Sequence, residues 1–256
     1  MIISAEWATV GRGLWALSLG AALLAAAPSC APTPDRAGAS SGGQQADDEE
    51  ARHRMVDEQI EARGVSDPRV LEAMRRVPRH EFVLPMYRGL AHEDRPLPIG
   101  LGQTISQPYI VGLMTELIDP EPGDRVLEVG TGSGYQAAVA AEIVERVYSI
   151  ELLPELAASA TERLARLGVT NVEVRAGDGY LGWPEHAPFD GILVTAGADH
   201  VPPPLVEQLA PGARMVIPVD DTRGGQVLQV VEKLPDGRID VRNVTPVRFV
   251  PLLRAN

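Results

Sequence analysis

Residues 126–135 read Val126-Leu127-Glu128-Val129-Gly130-Thr131-Gly132-Ser133-Gly134-Tyr135, an apolar strand, a turn with three glycines at alternate positions, and the start of a helix. Glycines let a backbone approach a ligand closely and present amides at a helix N-terminus. Working outward, strand-like runs recur at Arg125–Val129, Arg146–Ile150, Asn171–Arg175, Phe189–Thr195 and Arg214–Val219. Helical segments fall between them at about 134–144, 154–167 and 203–210. Short β-branched runs separated by helices predict βαβ units, a doubly wound and mostly parallel sheet with helices on both faces. Gln226–Lys233, Pro235-Asp236-Gly237 and Arg238–Val244 predict an antiparallel hairpin at its C-terminal edge.

Upstream, Ser66-Asp67-Pro68 opens a helix carrying Val70, Leu71, Met74 and Val77 at helical spacing. A loop-rich stretch over 78–105 precedes a second helix from about Pro108 to Ile118.

Spacing chooses among the ligands of the glycine turn. A dinucleotide fingerprint places its third glycine at position 135, which is Tyr here, so the pattern is G-x-G-x-G. Glu128 stands two residues before Gly130, where a carboxylate repels a pyrophosphate but tolerates a zwitterionic amino-acid group. Glu151 closes the second strand, placed to accept hydrogen bonds from a ribose diol. Asp178, in Gly177-Asp178-Gly179, follows the third strand and is placed to accept from an adenine amino group. Three acids at the ends of three successive strands favour S-adenosylmethionine over NAD. Glu128, Gly130, Thr131, Gly132, Ser133, Gly134, Glu151, Asp178 and Gly179 are the expected cofactor residues.

Composition narrows the field further. The 256-residue chain carries a formal charge of −12, and Lys233 is its one lysine, so nucleic acid is not an expected partner. A single cysteine, Cys30, excludes an internal disulfide and a thiolate zinc site, and the five histidines show no paired metal-ligand spacing. No metal is expected.

The first 54 residues differ in character. The apolar run at 14–27 is too short for a membrane-spanning helix and fits a secretory segment ending near Cys30, with membrane attachment if Cys30 is lipidated. Against this, only Arg12 precedes the run alongside Glu6, and Ala27-Pro28 departs from a lipoprotein motif. The alternative is upstream sequence, with translation starting at Met55. Residues 37–50 read as a disordered linker. The expected division is thus 1–54, a signal-like or misassigned segment plus linker, and 55–256, a single catalytic domain.

Several stretches make the reading specific: MVDEQIEARGVSDPRVLEAMRRVPRHEFV at 55–83, LPIGLGQTISQPYIVGLMTELI at 97–118, LEVGTGSGYQAAVAA at 127–141, FDGILVTAG at 189–197 and TPVRFVPLL at 245–253. Over 55–254 the chain resembles the protein-L-isoaspartate O-methyltransferases. The resemblance implies a Rossmann-like methyltransferase fold and methyl transfer from S-adenosylmethionine to the free α-carboxylate of L-isoaspartyl residues in damaged proteins. The ester then closes to a succinimide, which begins repair. It assigns the active-site role to Ser106 of Thr104-Ile105-Ser106-Gln107-Pro108, and together with the cytosolic supply of the methyl donor it implies the cytoplasm; a monomer is the expected state, which the sequence itself does not fix. The simpler role for Ser106 is an N-cap of the following helix. His200 reads as a loop histidine rather than a catalytic base, and Phe249-Val250 borders the peptide site by resemblance. The rival functions are an exported, non-catalytic lipoprotein-type binding module, supported by the N-terminal segment, and a methyltransferase acting on another carboxylate.

Overall fold

The computed structural model describes residues 39–222 and 224–255; the apolar run at 14–27 and Cys30 lie outside them. Among the described residues no helix is long and apolar enough to cross a membrane. The elements in chain order are α1 (Ala39–Met55), α2 (Pro68–Arg76), β1 (Leu97–Gly100), β2 (Gln103–Ile105), α3 (Pro108–Leu117), β3 (Arg125–Val129), α4 (Tyr135–Ala141), β4 (Arg146–Glu151), α5 (Pro154–Arg166), β5 (Val172–Ala176), β6 (Phe189–Val194), α6 (Pro203–Gln208), β7 (Leu209–Asp220), β8 (Gln226–Lys233) and β9 (Ile239–Val247).

The described residues form a seven-stranded sheet in the order β5-β4-β3-β6-β7-β8-β9. The first five strands of that order run parallel, and β8 and β9 add on antiparallel. The chain enters the parallel part at β3, steps outward through β4 to β5, then crosses to β6 on the other side of β3. That reversal makes a switch point at the carboxyl ends of β3 and β6, where open α/β sheets leave a crevice.

Strand alternation sorts side chains into two layers. Val126 of β3 packs with Val139, Met114 and Leu97 on the face covered by α3 and α4. Leu127 and Val129 point the other way, to Phe189, Ile192 and Leu205. The helix predicted after Ser66 forms as α2, with Asp67 as its N-cap accepting the amide of Arg69 at 2.8 Å. The loop-rich stretch contains a short hairpin, β1–β2, in addition to helical turns.

The structure differs from the sequence expectation at the N-terminal side. Residues 39–55 are helical where 37–50 reads as unstructured linker. The helix is held by side chains three or four residues apart, which share a face. Asp48 pairs with Arg88 at 2.9 Å, Arg52 is buried and donates to the carbonyl of Arg75, and Met55 and Val56 enter the core. Two of these four contacts are made by charged residues, so no apolar period reveals them. The folded unit therefore extends upstream of Met55.

Candidate active site

The three loop glycines adopt left-handed backbone, with φ of 101° at Gly130, 52° at Gly132 and 86° at Gly134, a region L side chains disfavour. Space is also limiting at Gly130, where a Cβ would stand 2.5 Å from Thr195 Oγ1. The loop is tied to both neighbouring strands: Gly130 N donates to Ile150 O at 2.8 Å, and Thr195 Oγ1 donates to Val129 O at 3.0 Å. Arg163 of α5 donates to the Ser133 carbonyl at 2.9 Å from outside.

Three hollows meet at this edge of the sheet. The first, a cavity of about 50 Å³, is walled by Gly130, Thr131, Gly132, Ser133, Tyr135, Gln136 and Glu151 on one side and Gln103–Ser106 on the other. The second, about 200 Å³, shares Gln103, Gly130 and Glu151 and is otherwise mostly apolar, with Leu101, Ile150, Leu153, Gly179, Pro251 and Leu252. The third, a groove of about 450 Å³, runs from Ser106 and Gln107 to Pro246, Val247, Arg248 and Phe249. Thr104, Ser106 and Thr195 line both the first and the third. The closing segment reaches this edge because Gly197 N donates to Val250 O at 2.8 Å and Leu252 N to Gly197 O at 2.7 Å.

Glu151 stands where the first two hollows join, buried, with Oε2 accepting Gly132 N at 2.8 Å and Oε1 accepting Leu153 N at 3.0 Å. Asp178 is less free than its sequence position suggests. Its Oδ1 caps the turn through Tyr180 N at 2.9 Å and its Oδ2 takes Ala255 N at 3.3 Å. Its neighbour Gly179 forms the cavity wall.

Glu128 is not among the residues that line these hollows. Alternation turns it to the same face as Val126, beneath α4, where it is fully buried. The Ser149 hydroxyl donates to its Oε2, and Thr131 Oγ1 lies 2.6 Å from Ser149 Oγ. Oε1 has no partner. Desolvation pushes its carboxyl up to about 8, with the nearby Glu151 charge adding to the effect. A neutral Glu128 therefore supports the glycine loop from behind through Ser149 and Thr131. Sequence position places Glu128 beside the ligand, whereas in the fold it lies a residue inside β3, level with Ser149 rather than with the strand-ending Glu151 on the same face.

Ser106 does not cap α3, whose N-cap is Gln107 without a side-chain bond. It faces both the small cavity and the groove. His200 is exposed and paired to Asp199 at 2.6 Å, and it does not line the hollows described above. Gln103 and Thr195 belong to the walls but carried no role in the sequence reading. Thr195 was findable, since it follows the fourth parallel strand at the switch point. Gln103 gives no comparable signal, because its place depends on the β1–β2 turn.

The family model for protein-L-isoaspartate(D-aspartate) O-methyltransferase matches residues 50–256. The chain belongs to this family. Among similar curated proteins, protein-L-isoaspartate O-methyltransferase 2 of Syntrophobacter fumaroxidans is 62% identical over 73% of this chain and 75% of its own. The protein-L-isoaspartate O-methyltransferase of Gloeobacter violaceus is 54% identical over 78% of this chain and 97% of its own. Among solved structures, a protein-L-isoaspartate O-methyltransferase superimposes with a TM-score of 0.71 at 32% identity, covering 79% of this chain and 65% of that one. A structure from Plasmodium falciparum, assigned to the same activity and in complex with S-adenosyl-L-homocysteine, gives 0.69 at 25% identity, covering 80% of this chain and 99% of that one. The doubly wound sheet is thus the Rossmann-like methyltransferase fold.

Proposed function

We propose that the three hollows divide the work of one reaction, with Ser106 on the wall shared by the glycine-loop cavity and the groove. The protein is a methyltransferase that uses S-adenosylmethionine to methylate isoaspartyl residues of damaged proteins, the step that initiates their repair. The observation that carries the residue assignments is the shared wall, since Thr104, Ser106 and Thr195 line both the glycine-loop cavity and the groove.

The residues present fit the cofactor. Gly130, Gly132 and Gly134 hold a left-handed loop in which a Cβ at Gly130 would collide with the Thr195 hydroxyl of the cavity wall, Glu151 offers carboxylate lone pairs for a ribose diol, and the adjoining apolar cavity suits adenine. Bound there, the cofactor supplies an already activated methyl on a sulfonium. Gly179 and Asp178 border the adenine end, and Thr131 and Ser133 shape the loop. Glu128 acts at one remove.

A carboxylate is ionised at neutral pH, so the α-carboxylate of an isoaspartyl residue needs no general base. The protein's task is to orient it and partly remove its water. The Ser106 hydroxyl donates a hydrogen bond to one carboxylate oxygen, leaving the other to face the small cavity. The groove beside Val247, Arg248 and Phe249 holds the peptide on either side. The free α-carboxylate is the substrate group, and its ester closes to a succinimide without further help from the protein. We place the enzyme in the cytoplasm as a monomer, where its methyl donor is made. Replacing Ser106 with Ala tests the arrangement: losing a hydrogen bond to a charged group, about 1.5–3 kcal/mol, lowers kcat on an isoaspartyl peptide about tenfold to a hundredfold. Affinity for S-adenosylhomocysteine stays unchanged. Unchanged kcat removes Ser106 from the reaction.

A further inference from the structure

Arg79 is fully buried in the turn after α2, and nothing in the reaction described above uses it. Its Nε donates to Ala91 O at 2.7 Å, and its Nη2 donates to Ser106 O at the same distance. Its Cζ lies 4.9 Å from the ring centroid of Tyr135, which begins α4 directly after the glycine loop and lines the same cavity as Ser106. No carboxylate ion-pairs with it among the described residues, Asp94 acting only at longer range, and Nη1 has no partner. Desolvation lowers its pKa to about 10, which leaves it a cation at neutral pH.

A buried cation without a counter-ion is costly, and an apolar side chain would fill the same space without that cost. What the guanidinium provides is its fork. One rigid planar group fixes the Ser106 carbonyl relative to both the Ala91 loop and the first residue of α4. Because the Ser106 carbonyl belongs to the same residue as the hydroxyl, fixing that peptide plane restricts where the hydroxyl can point.

We infer that Arg79 is a positioning residue for methyl transfer, holding Ser106 at the junction of cofactor cavity and peptide groove through its backbone carbonyl. The inference rests on the reading of Ser106 as the donor to the substrate carboxylate.

The test is a double-mutant cycle on the full chain, with Arg79→Lys, Ser106→Ala and the double variant assayed on an isoaspartyl peptide. Lysine keeps the charge but loses the fork. Arg79→Lys is expected to lower kcat about tenfold or more, with S-adenosylhomocysteine affinity held within about twofold. In the Ser106→Ala background the same change is expected to cost no more than about twofold, because the group being positioned is gone. Multiplicative losses overturn the proposal and make Arg79 independent of Ser106. A wild-type kcat for Ser106→Ala alone overturns instead the reading of Ser106. Should Arg79→Lys not fold, Arg79→Met, which fills the space with no donor for the carbonyl, carries the same cycle. If neither folds, Arg79 serves stability only and the proposal is overturned.

Discussion

The Glu151 carboxylate accepts the amide of Gly132, Oε2 to N at 2.8 Å, so the last residue of β4 is tied across to the glycine loop that follows β3. Its other oxygen takes Leu153 N at 3.0 Å. These two bonds aim the carboxylate at the junction of the glycine-loop cavity and the apolar cavity, both of which it lines. One side chain therefore shapes the loop and turns its carboxylate toward both cavities.

Replacing Glu151 with Ala should accordingly have two effects. Losing hydrogen bonds to an ionised acceptor is expected to weaken S-adenosylhomocysteine binding by about 1.5–3 kcal/mol, roughly tenfold to over a hundredfold by calorimetry. Leaving the amides of Gly132 and Leu153 without their acceptor should also lower thermal stability, by about 1–3 kcal/mol. Unchanged affinity would remove Glu151 from the cofactor site.

Glu128 yields a prediction about pH. Burial raises its carboxyl from the ordinary 4.5 to about 8 in the folded protein. A group whose folded pKa is raised contributes stability that is fully present below its unfolded value and lost as pH rises through the folded one. Stability should therefore decline between about pH 4.5 and 8. Glu128→Gln, which keeps an acceptor for Ser149 and cannot ionise, should flatten that part of the profile. At pH 8.5 it should exceed the wild type by on the order of 2–4 kcal/mol in urea titrations. Parallel profiles would show that Glu128 is not held neutral.

The fold was legible because its signals are local. Glycine spacing, β-branched runs and the Pro-Asp-Gly turn each occupy a few consecutive residues, and β3 follows its expected bounds of Arg125–Val129. The three acids were legible as positions near strand ends, though not in how deeply each is buried or what it bonds. Glu128 and Glu151 look alike in sequence, and the pairing of Glu128 with Ser149 puts both on one face of the sheet; depth separates them, Glu128 lying within β3 beneath α4 and Glu151 closing β4 at the crevice. The first helix was missed because Asp48 and Arg52 hold it through partners 40 and 23 residues away, a separation that no window of sequence registers. Arg79 escaped notice for the same reason, its acceptors lying 12 and 27 residues downstream.

That helix fixes where the chain can be shortened. A chain beginning at Met55 loses the Asp48–Arg88 pair and the hydrogen bond of the buried Arg52 to the Arg75 carbonyl. It should unfold about 1–3 kcal/mol more easily than one beginning at Ala39. Both should bind S-adenosylhomocysteine alike, since no cavity wall comes from α1. Equal urea midpoints would show that α1 adds nothing to the domain.

The central claim is methylation of isoaspartyl residues, and paired peptides test it most directly. Two peptides of one sequence, one with an isoaspartyl and one with a normal aspartyl residue, are incubated with the full chain and labelled S-adenosylmethionine. In the normal residue the free carboxylate sits on the side chain, on a different branch from the continuing backbone, so it misses the in-line position beside Ser106. Label is expected in the isoaspartyl peptide, as a base-labile ester, with essentially none in its normal counterpart. Equal labelling of the two, or none in either, would contradict the account.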